Sequence, residues 1–429
     1  MNDSILPLNK RIFILILIIL PILNQYQLFG IKMIEIISGI VLLWMLVKKN
    51  LKIIINGYVR FALYGFLGSI LSTSVIMLWY PNDISIGTIF LRWVKYIVVF
   101  IAISYVGQTV FNTKFAVDVY TKSAFLCSVI VIIQFIVNLV FNTQLYLIIP
   151  NTVLNYNSNM TAQAFLEMMH SRLNMGFPYR PSSLFIEPAH FAIYVLPAFA
   201  ILLLNRNKDG FALPGLITIA LFMSSSSLGI VGCLVIWCCF LVNSIRRGTI
   251  SRKWIVFFPI VLIVGLLIFP NIISSDAVQF TLRTKKQSLM HLSSSSSLTL
   301  RLIRGIYYYI SIGVGYKLIG VGYGNLDSYY RLSGLNLSID TINTEYAYMN
   351  GLEEVLCMFG IVGFIIFIMW LIKSSYKDSM CKAICLAMFV IMLGSEFYDT
   401  ATFYLCVLFI LSTQADDKSK YIGKDTGTV

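Results

Sequence analysis

Apolar residues gather into twelve runs along the chain: 11–29, 30–48, 57–80, 84–107, 117–141, 184–204, 211–224, 227–244, 254–270, 351–372, 380–395 and 397–413. A helix needs about 20 apolar residues to cross a bilayer, and these runs predict twelve membrane-crossing helices. Two boundaries rest on brief polar interruptions. The run SSSS at 224–227 splits one apolar stretch into two, and Gly394–Ser395–Glu396 splits another. A single long helix in place of each pair is the other option, but it would move Arg246, Arg247 and the basic residues after them to the opposite side of the membrane.

Composition agrees with this pattern: 58% of residues are hydrophobic, 12% are charged, and mean hydropathy is +0.83. A soluble domain could not bury so much apolar side chain, so the chain reads as one polytopic membrane domain over 1–429. The net charge of +13 would ordinarily raise a nucleic-acid partner. Its distribution argues against one. Lys48, Lys49, Lys52, Arg206, Lys208, Arg246, Arg247, Arg252, Lys253, Lys373, Lys377 and Lys382 all fall in short links between apolar runs, the pattern that orients a membrane protein with those links in the cytoplasm. With Lys10 and Arg11 inside, strict alternation puts every one of these links inside, together with the tail that carries Lys418, Lys420 and Lys424. The expectation is therefore a multi-pass membrane protein with both termini cytoplasmic. The run that begins at Ile12 follows a basic step but has no small-residue cleavage site, which predicts a retained first helix. The eight cysteines lie in or beside apolar runs, so no disulfide framework is implied.

The same alternation leaves two long segments outside, 142–183 and 271–350, in a chain otherwise sparing with its loops. Function is expected there. The second loop carries Arg283, Lys285, Lys286, Arg301, Arg304, Lys317 and Arg331 against Asp276, Asp327, Asp340 and Glu345. An outer loop richer in cations runs against the orienting bias, and an anionic ligand accounts for it. Arginine suits phosphate because its planar fork gives two parallel hydrogen bonds and keeps its charge. Arg301 and Arg304 would share a helix face. A solvated loop face with ordinary surface arginines is the plainer account. The glycines of IGVGYGN, at 320, 322 and 324, point to tight backbone and close approach, not to a dinucleotide site.

The first loop ends in YRPSSLFIEPAHFA (179–192), where Arg180, Glu187 and His190 meet the start of a membrane helix. Pro188 suits a first helical turn, with Glu187 just before it. Glu187 could be no more than a cap with Arg180 as its ion-pair partner. Alternatively, Glu187 and His190 form an acid/base pair at the water–membrane boundary, facing an arginine-rich loop. The outer carboxylates are scattered and no Cys/His cluster occurs, so neither a metal site nor a cofactor is expected.

These stretches together resemble the O-antigen polymerase (Wzy) family, with the O-antigen ligases as its sister group. The resemblance covers nearly the whole chain in layout. Its local support is RPSSLFIEPAHFA, similar to the family's R-x-S-x-F-x-E-P stretch, followed in order by SSSSLGI, VGYGN and NGLEEVLCMFGIVG. Ligases carry a histidine before the asparagine of the last stretch, whereas here Met349 precedes Asn350. The resemblance implies an all-α, GT-C-like membrane glycosyltransferase of about 12 helices, working without metal or cofactor. It would transfer a growing glycan from undecaprenyl pyrophosphate to a lipid-linked repeat unit of a lipopolysaccharide or capsule, on the outer face of the plasma (inner) membrane. Arg180, Arg283, Arg301 and Arg304 would hold the pyrophosphate, and Glu187 or His190 would take the acceptor's proton. Membrane lipid and a chain-length regulator are the implied partners. A ligase-type glycan transferase, or a flippase or transporter without enzymatic activity, stays open. Arg92 and Lys95 inside the fourth span favour the transporter.

Overall fold

The computed structural model describes residues 6–28, 31–48, 53–79, 86–147, 154–156, 167–171, 179–205, 211–246, 304–326, 328–329 and 349–425. The helices are α1 (Leu8–Leu23), α2 (Met33–Val47), α3 (Gly57–Trp79), α4 (Ile86–Thr109), α5 (Thr113–Phe141), α6 (Pro188–Leu204), α7 (Ala212–Met223), α8 (Ser227–Arg246), α9 (Arg304–Ser311), α10 (Val314–Ile319), α11 (Gly351–Ser375), α12 (Ser379–Gly394) and α13 (Ala401–Asp425). Eleven of the twelve expected spans coincide with a helix. The span at 254–270 lies outside the described residues, as does most of the second loop. Helices α3, α4, α5, α8 and α11 are long and apolar enough to cross a membrane, and α2, α6, α7, α12 and residues 401–413 of α13 are shorter apolar helices. The protein is a helical, multi-pass membrane protein.

The expectation of an all-α chain needs one addition. A small antiparallel sheet runs in the order β2–β1–β3, from β1 (Tyr26–Leu28), β2 (Ile31–Lys32) and β3 (Leu154–Tyr156). Tyr26 pairs with Tyr156 and Leu28 with Leu154, so the first loop is stitched to the turn between α1 and α2.

Helix α6 is apolar on every side and is buried on every side, as such a helix must be. It forms the core with α12 and the apolar part of α13, where Ile391, Val407 and Ile410 are sealed from the surface. Helices α2 to α5 instead turn apolar side chains outward, among them Leu43, Leu67, Leu91 and Leu139. Outward leucines suit a hydrocarbon surround, where backbone polar groups must be satisfied within the helix and apolar side chains face lipid.

The two polar interruptions end helices where the sequence places them. Helix α7 stops at Met223 and α8 starts at Ser227; α12 stops at Gly394 and α13 starts at Ala401. Hydrogen bonds at the links sort the helix ends into two groups. At one end the Gln108 side chain bonds both the amide and the carbonyl of Ile54, Thr113 bonds Ser412, and Ser379 bonds Asn205. The opposite end collects the α1–α2 turn, the start of α6, the α7–α8 and α12–α13 links, segment 320–326 and the start of α11. This second end, called the loop end below, holds the candidate site.

Candidate functional site at the loop end

The approach to α6 is built by side chains that replace backbone partners. Ser183 is buried with φ 60, and Gln134 of α5 satisfies it on both sides: the Ser183 amide donates to Gln134 Oε1 at 2.8 Å and Gln134 Nε2 donates to the Ser183 carbonyl at 3.0 Å. The Ile186 amide donates to Gln25 Oε1 at 2.7 Å, which fixes the segment to the end of α1. Glu187 is the N-cap residue with extended backbone, and Pro188 opens the helix as expected. The Glu187 carbonyl accepts from the amides of His190 and Phe191, but its carboxylate makes no capping bond and is exposed. His190 is half-buried in the first turn.

Arg180 is exposed and reaches a different element. Its Nη2 donates to the Ser225 carbonyl at 2.8 Å. Ser225 stands in the α7–α8 link with φ 53, and a guanidinium there complements the carbonyl end of the α7 dipole. Arg304 is 1% exposed, far from a solvated loop face. It begins α9, whose next residue, Gly305, donates its amide to Glu353 Oε2 at 3.1 Å. A Cβ on Gly305 would overlap the Glu353 side chain, so glycine lets α9 lie against the first turn of α11. Asn350 caps that turn, accepting from the amides of Leu352 and Glu353. Glu187 and His190 thus share one turn, while Arg180 and Arg304 are held by separate elements of the same end. Arg283 and Arg301 lie outside the described residues.

The two glycine-bearing stretches come together. Helix α11 breaks at Gly360, with φ 65 and ψ −177. The carbonyls of Cys357 and Met358 accept instead from the amides of Val321 and Gly322, at 3.0 and 2.9 Å. Non-helical backbone at membrane depth survives only where protein satisfies it. Gly320 and Gly360 are required at this crossing: both have positive φ, and an added Cβ would strike the Met358 or Leu318 carbonyl. Ser72 Oγ donates to the Gly320 carbonyl at 2.6 Å, and Ser69 Oγ accepts from the Tyr323 amide at 2.8 Å. Asn325 bonds Thr73 at 2.7 Å and accepts from Arg92 at 3.3 Å. Lys95 of α4 pairs with Glu35 of α2 at 3.0 Å.

Segment 320–326 delivers Tyr323 to the α12–α13 link. Asp399 there has φ 61; the Tyr323 hydroxyl donates to its Oδ2 and the Tyr404 hydroxyl to its Oδ1. The rings of Tyr96 and Tyr323 lie 4.7 Å apart. Burial, and then the neighbouring Asp399 carboxylate, push the Tyr323 hydroxyl well above the usual tyrosine range. Burial followed by Tyr96, Tyr58 and Asp399 does the same to Tyr398.

Sequence reasoning missed Asp399, Tyr404, Glu353 and Glu354. Asp399 is one acidic residue after two aromatics, and no spacing rule marks it. Its left-handed backbone and its bond from Tyr323, 76 residues away, emerge only from the fold. Among the described residues, no three His, Cys, Asp or Glu side chains are grouped to hold a metal ion. No protein-family profile matches the chain, and no curated protein matches it.

Proposed function

We propose that the protein is a polysaccharide repeat-unit polymerase, transferring a growing glycan from undecaprenyl pyrophosphate to a lipid-linked repeat unit on the outer face of the plasma membrane. The carrying observation is that Arg180, Arg304 and the acid/base candidates Glu187 and His190 belong to one end of a helical membrane domain whose outer helices turn apolar side chains outward, as lipid tails require. In this reading the acceptor hydroxyl attacks the anomeric carbon, and the C–O bond to pyrophosphate breaks. The hydroxyl proton passes to the Glu187 carboxylate or the His190 imidazole, and undecaprenyl pyrophosphate leaves with its charge held by guanidinium groups. The exposed carboxylate of Glu187, free of capping duty, supports its candidacy as base. The orientation with both termini cytoplasmic and loops 142–183 and 271–350 outside belongs to the same proposal.

Purified protein given lipid-linked repeat units in the presence of a chelator should form polymer. Glu187→Gln should slow it roughly a hundredfold if the glutamate takes the proton, and His190→Ala tests the second base. A chelator-sensitive wild type would overturn metal-free transfer; full activity in both variants would remove this turn from the chemistry. The ligase alternative is disfavoured by Met349, 1% exposed where ligases carry a histidine. The transporter alternative has one observation in its favour: helix α11 is broken where segment 320–326 crosses it, and Asn325 of that segment accepts from Arg92, since interrupted helices build transporter sites. Polymer growth in detergent, where there is no second compartment, separates the two.

A further inference from the structure

Segment 305–326 reaches deeper than a surface loop. Gly68 is the middle residue of α3, a helix about 34 Å long against a hydrocarbon layer of about 30 Å, so Gly68 stands near the midplane of the bilayer. A Cβ on Gly68 would meet the Ile319 carbonyl at 3.4 Å. One turn further along α3, Ser72 donates to the Gly320 carbonyl at 2.6 Å. Helix α11 gives the same depth independently. Gly360 lies about 13 Å along it from Gly351, and a Cβ there would strike the Leu318 carbonyl. Two membrane-crossing helices thus place the end of α10 near the middle of the apolar layer.

Both ends of the segment stay at the loop end. Gly305 packs against the first two turns of α11, bonded to Glu353 and Cys357, and Tyr323 reaches Asp399 in the α12–α13 link. Between them, exposure divides the segment as hydrocarbon would demand. Backbone outside regular structure cannot face lipid, where nothing completes its hydrogen bonds. The non-helical residues Gly320, Val321 and Gly322 are accordingly buried, with their amides bonded. Helical α10 instead faces outward, with Val314 76% exposed and Leu318 53%. Val314 is no more than about 8 Å from Ile319 along the helix, inside the half-thickness of about 15 Å. The neighbours continue this face: Leu67 and Leu71 of α3 flank Gly68, Ile361 and Ile365 of α11 follow Gly360, and all four are exposed. Lys317, half-buried, is the one charged residue of α10; a lysine at this level keeps its stem in the apolar layer and sends its ammonium toward the headgroups.

We propose that residues 305–326 form a re-entrant segment, entering and leaving the membrane at the loop end, and that α10 presents Val314 and Leu318 to the acyl chains of the bilayer. Part of the second loop, expected outside in water, is then a lipid-contacting element. The segment does not cross, so the alternation of the other helices is unaffected. Nothing here depends on the transferase reading.

The test uses the full chain in phosphatidylcholine liposomes, one set carrying a diazirine at the end of the acyl chain and another on the headgroup. After irradiation, the chain-end reagent should label the peptide that holds Val314 and Leu318, read by mass spectrometry, and the headgroup reagent should not. Hydroxyl radicals generated in the water should leave Leu318 unoxidised. Oxidation of Leu318 overturns the proposal, whatever the lipid reagents label. Protection from all three reagents, as a second copy seated on this face would give, overturns it too. Leu318→Asp should lower the folded protein recovered from membranes at least about tenfold, since a carboxylate there would meet hydrocarbon, whereas Leu318→Met should be recovered like wild type. Wild-type recovery of Leu318→Asp would mean that water, not lipid, covers α10.

Discussion

The α7–α8 and α12–α13 links occupy the same end of the bundle and solve the same problem differently. Each joins two apolar helices through a few residues, and each contains a non-glycine residue with left-handed backbone, Ser225 or Asp399. Each also receives a peg from elsewhere in the chain: Arg180 of the first loop enters one, and Tyr323 of segment 320–326 enters the other. At Ser225 the link offers only a backbone carbonyl, so the serine side chain is incidental to the contact. At Asp399 it offers a carboxylate, and two tyrosines depend on that one side chain. Left-handed backbone at a non-glycine residue carries a cost of order 1–3 kcal/mol, and only at Asp399 does the side chain itself give a reason to accept it.

The largest effect is expected where segment 320–326 crosses α11. Gly320→Ala drives a methyl group into the Met358 carbonyl at φ 83 and should cost roughly 3 kcal/mol or more, read as loss of folded protein in membranes. Gly215→Ala is the control, since its Cβ meets nothing within 4 Å; in the α7 helix it should be neutral or stabilise by up to about 1 kcal/mol. Unchanged melting of Gly320→Ala would mean the crossing is looser than described.

Next come the two links themselves. Asp399→Gly relieves the backbone but strips two tyrosines of their acceptor, with an expected loss of about 3 kcal/mol. Ser225→Gly keeps the carbonyl that Arg180 uses, and thermal unfolding should move by less than about 1 kcal/mol in either direction. Equal effects at the two positions would erase the contrast between them.

Arg180 then sharpens the contrast by function. Arg180→Ala should reduce polymer to single repeat units while protein remains in the membrane. Arg180→Lys can still place a charge at the carbonyl end of α7, yet it does not reproduce a two-bond phosphate contact. Stability restored by lysine without polymer assigns the arginine to the substrate; polymer restored with it assigns the arginine to the helix end.

The smallest effect concerns pH. The neutral Tyr323 is favoured in the folded state, beside Asp399, Glu35 and Tyr96, so the folded protein holds this proton more tightly than the unfolded chain. Stability is therefore unaffected below the ordinary tyrosine value of 10.0 and declines as pH rises beyond it. Tyr323→Phe should make that alkaline decline shallower in melting curves taken across the same range.

The helices were legible because lipid-facing and core helices alike need long apolar runs, and even the breaks at 224–227 and 394–396 stood out as polar residues among them. The small sheet was not, because Tyr26–Leu28 and Leu154–Tyr156 become strands only by finding each other across the first loop. Glycines 320, 322 and 324 announced a close approach; the identity of what approaches, the broken turn at Gly360, required three dimensions. Charge led the sequence reading to Arg180 and Glu187, where it marks the approach to α6. It gave no sign that Arg304 would be buried at the start of α9, or that Tyr323 would find an acceptor 76 residues away.

The break at Gly360 also constrains how the protein is made. Val321 and Gly322 are synthesised before the carbonyls they serve, and neither half of the crossing is satisfied alone. Helix α11 therefore cannot leave the insertion machinery for hydrocarbon as a finished segment. It has to be handed over together with the residues just upstream of it, so that this part of the chain inserts as a single late unit and a ribosome stalled between them would leave an unstable intermediate.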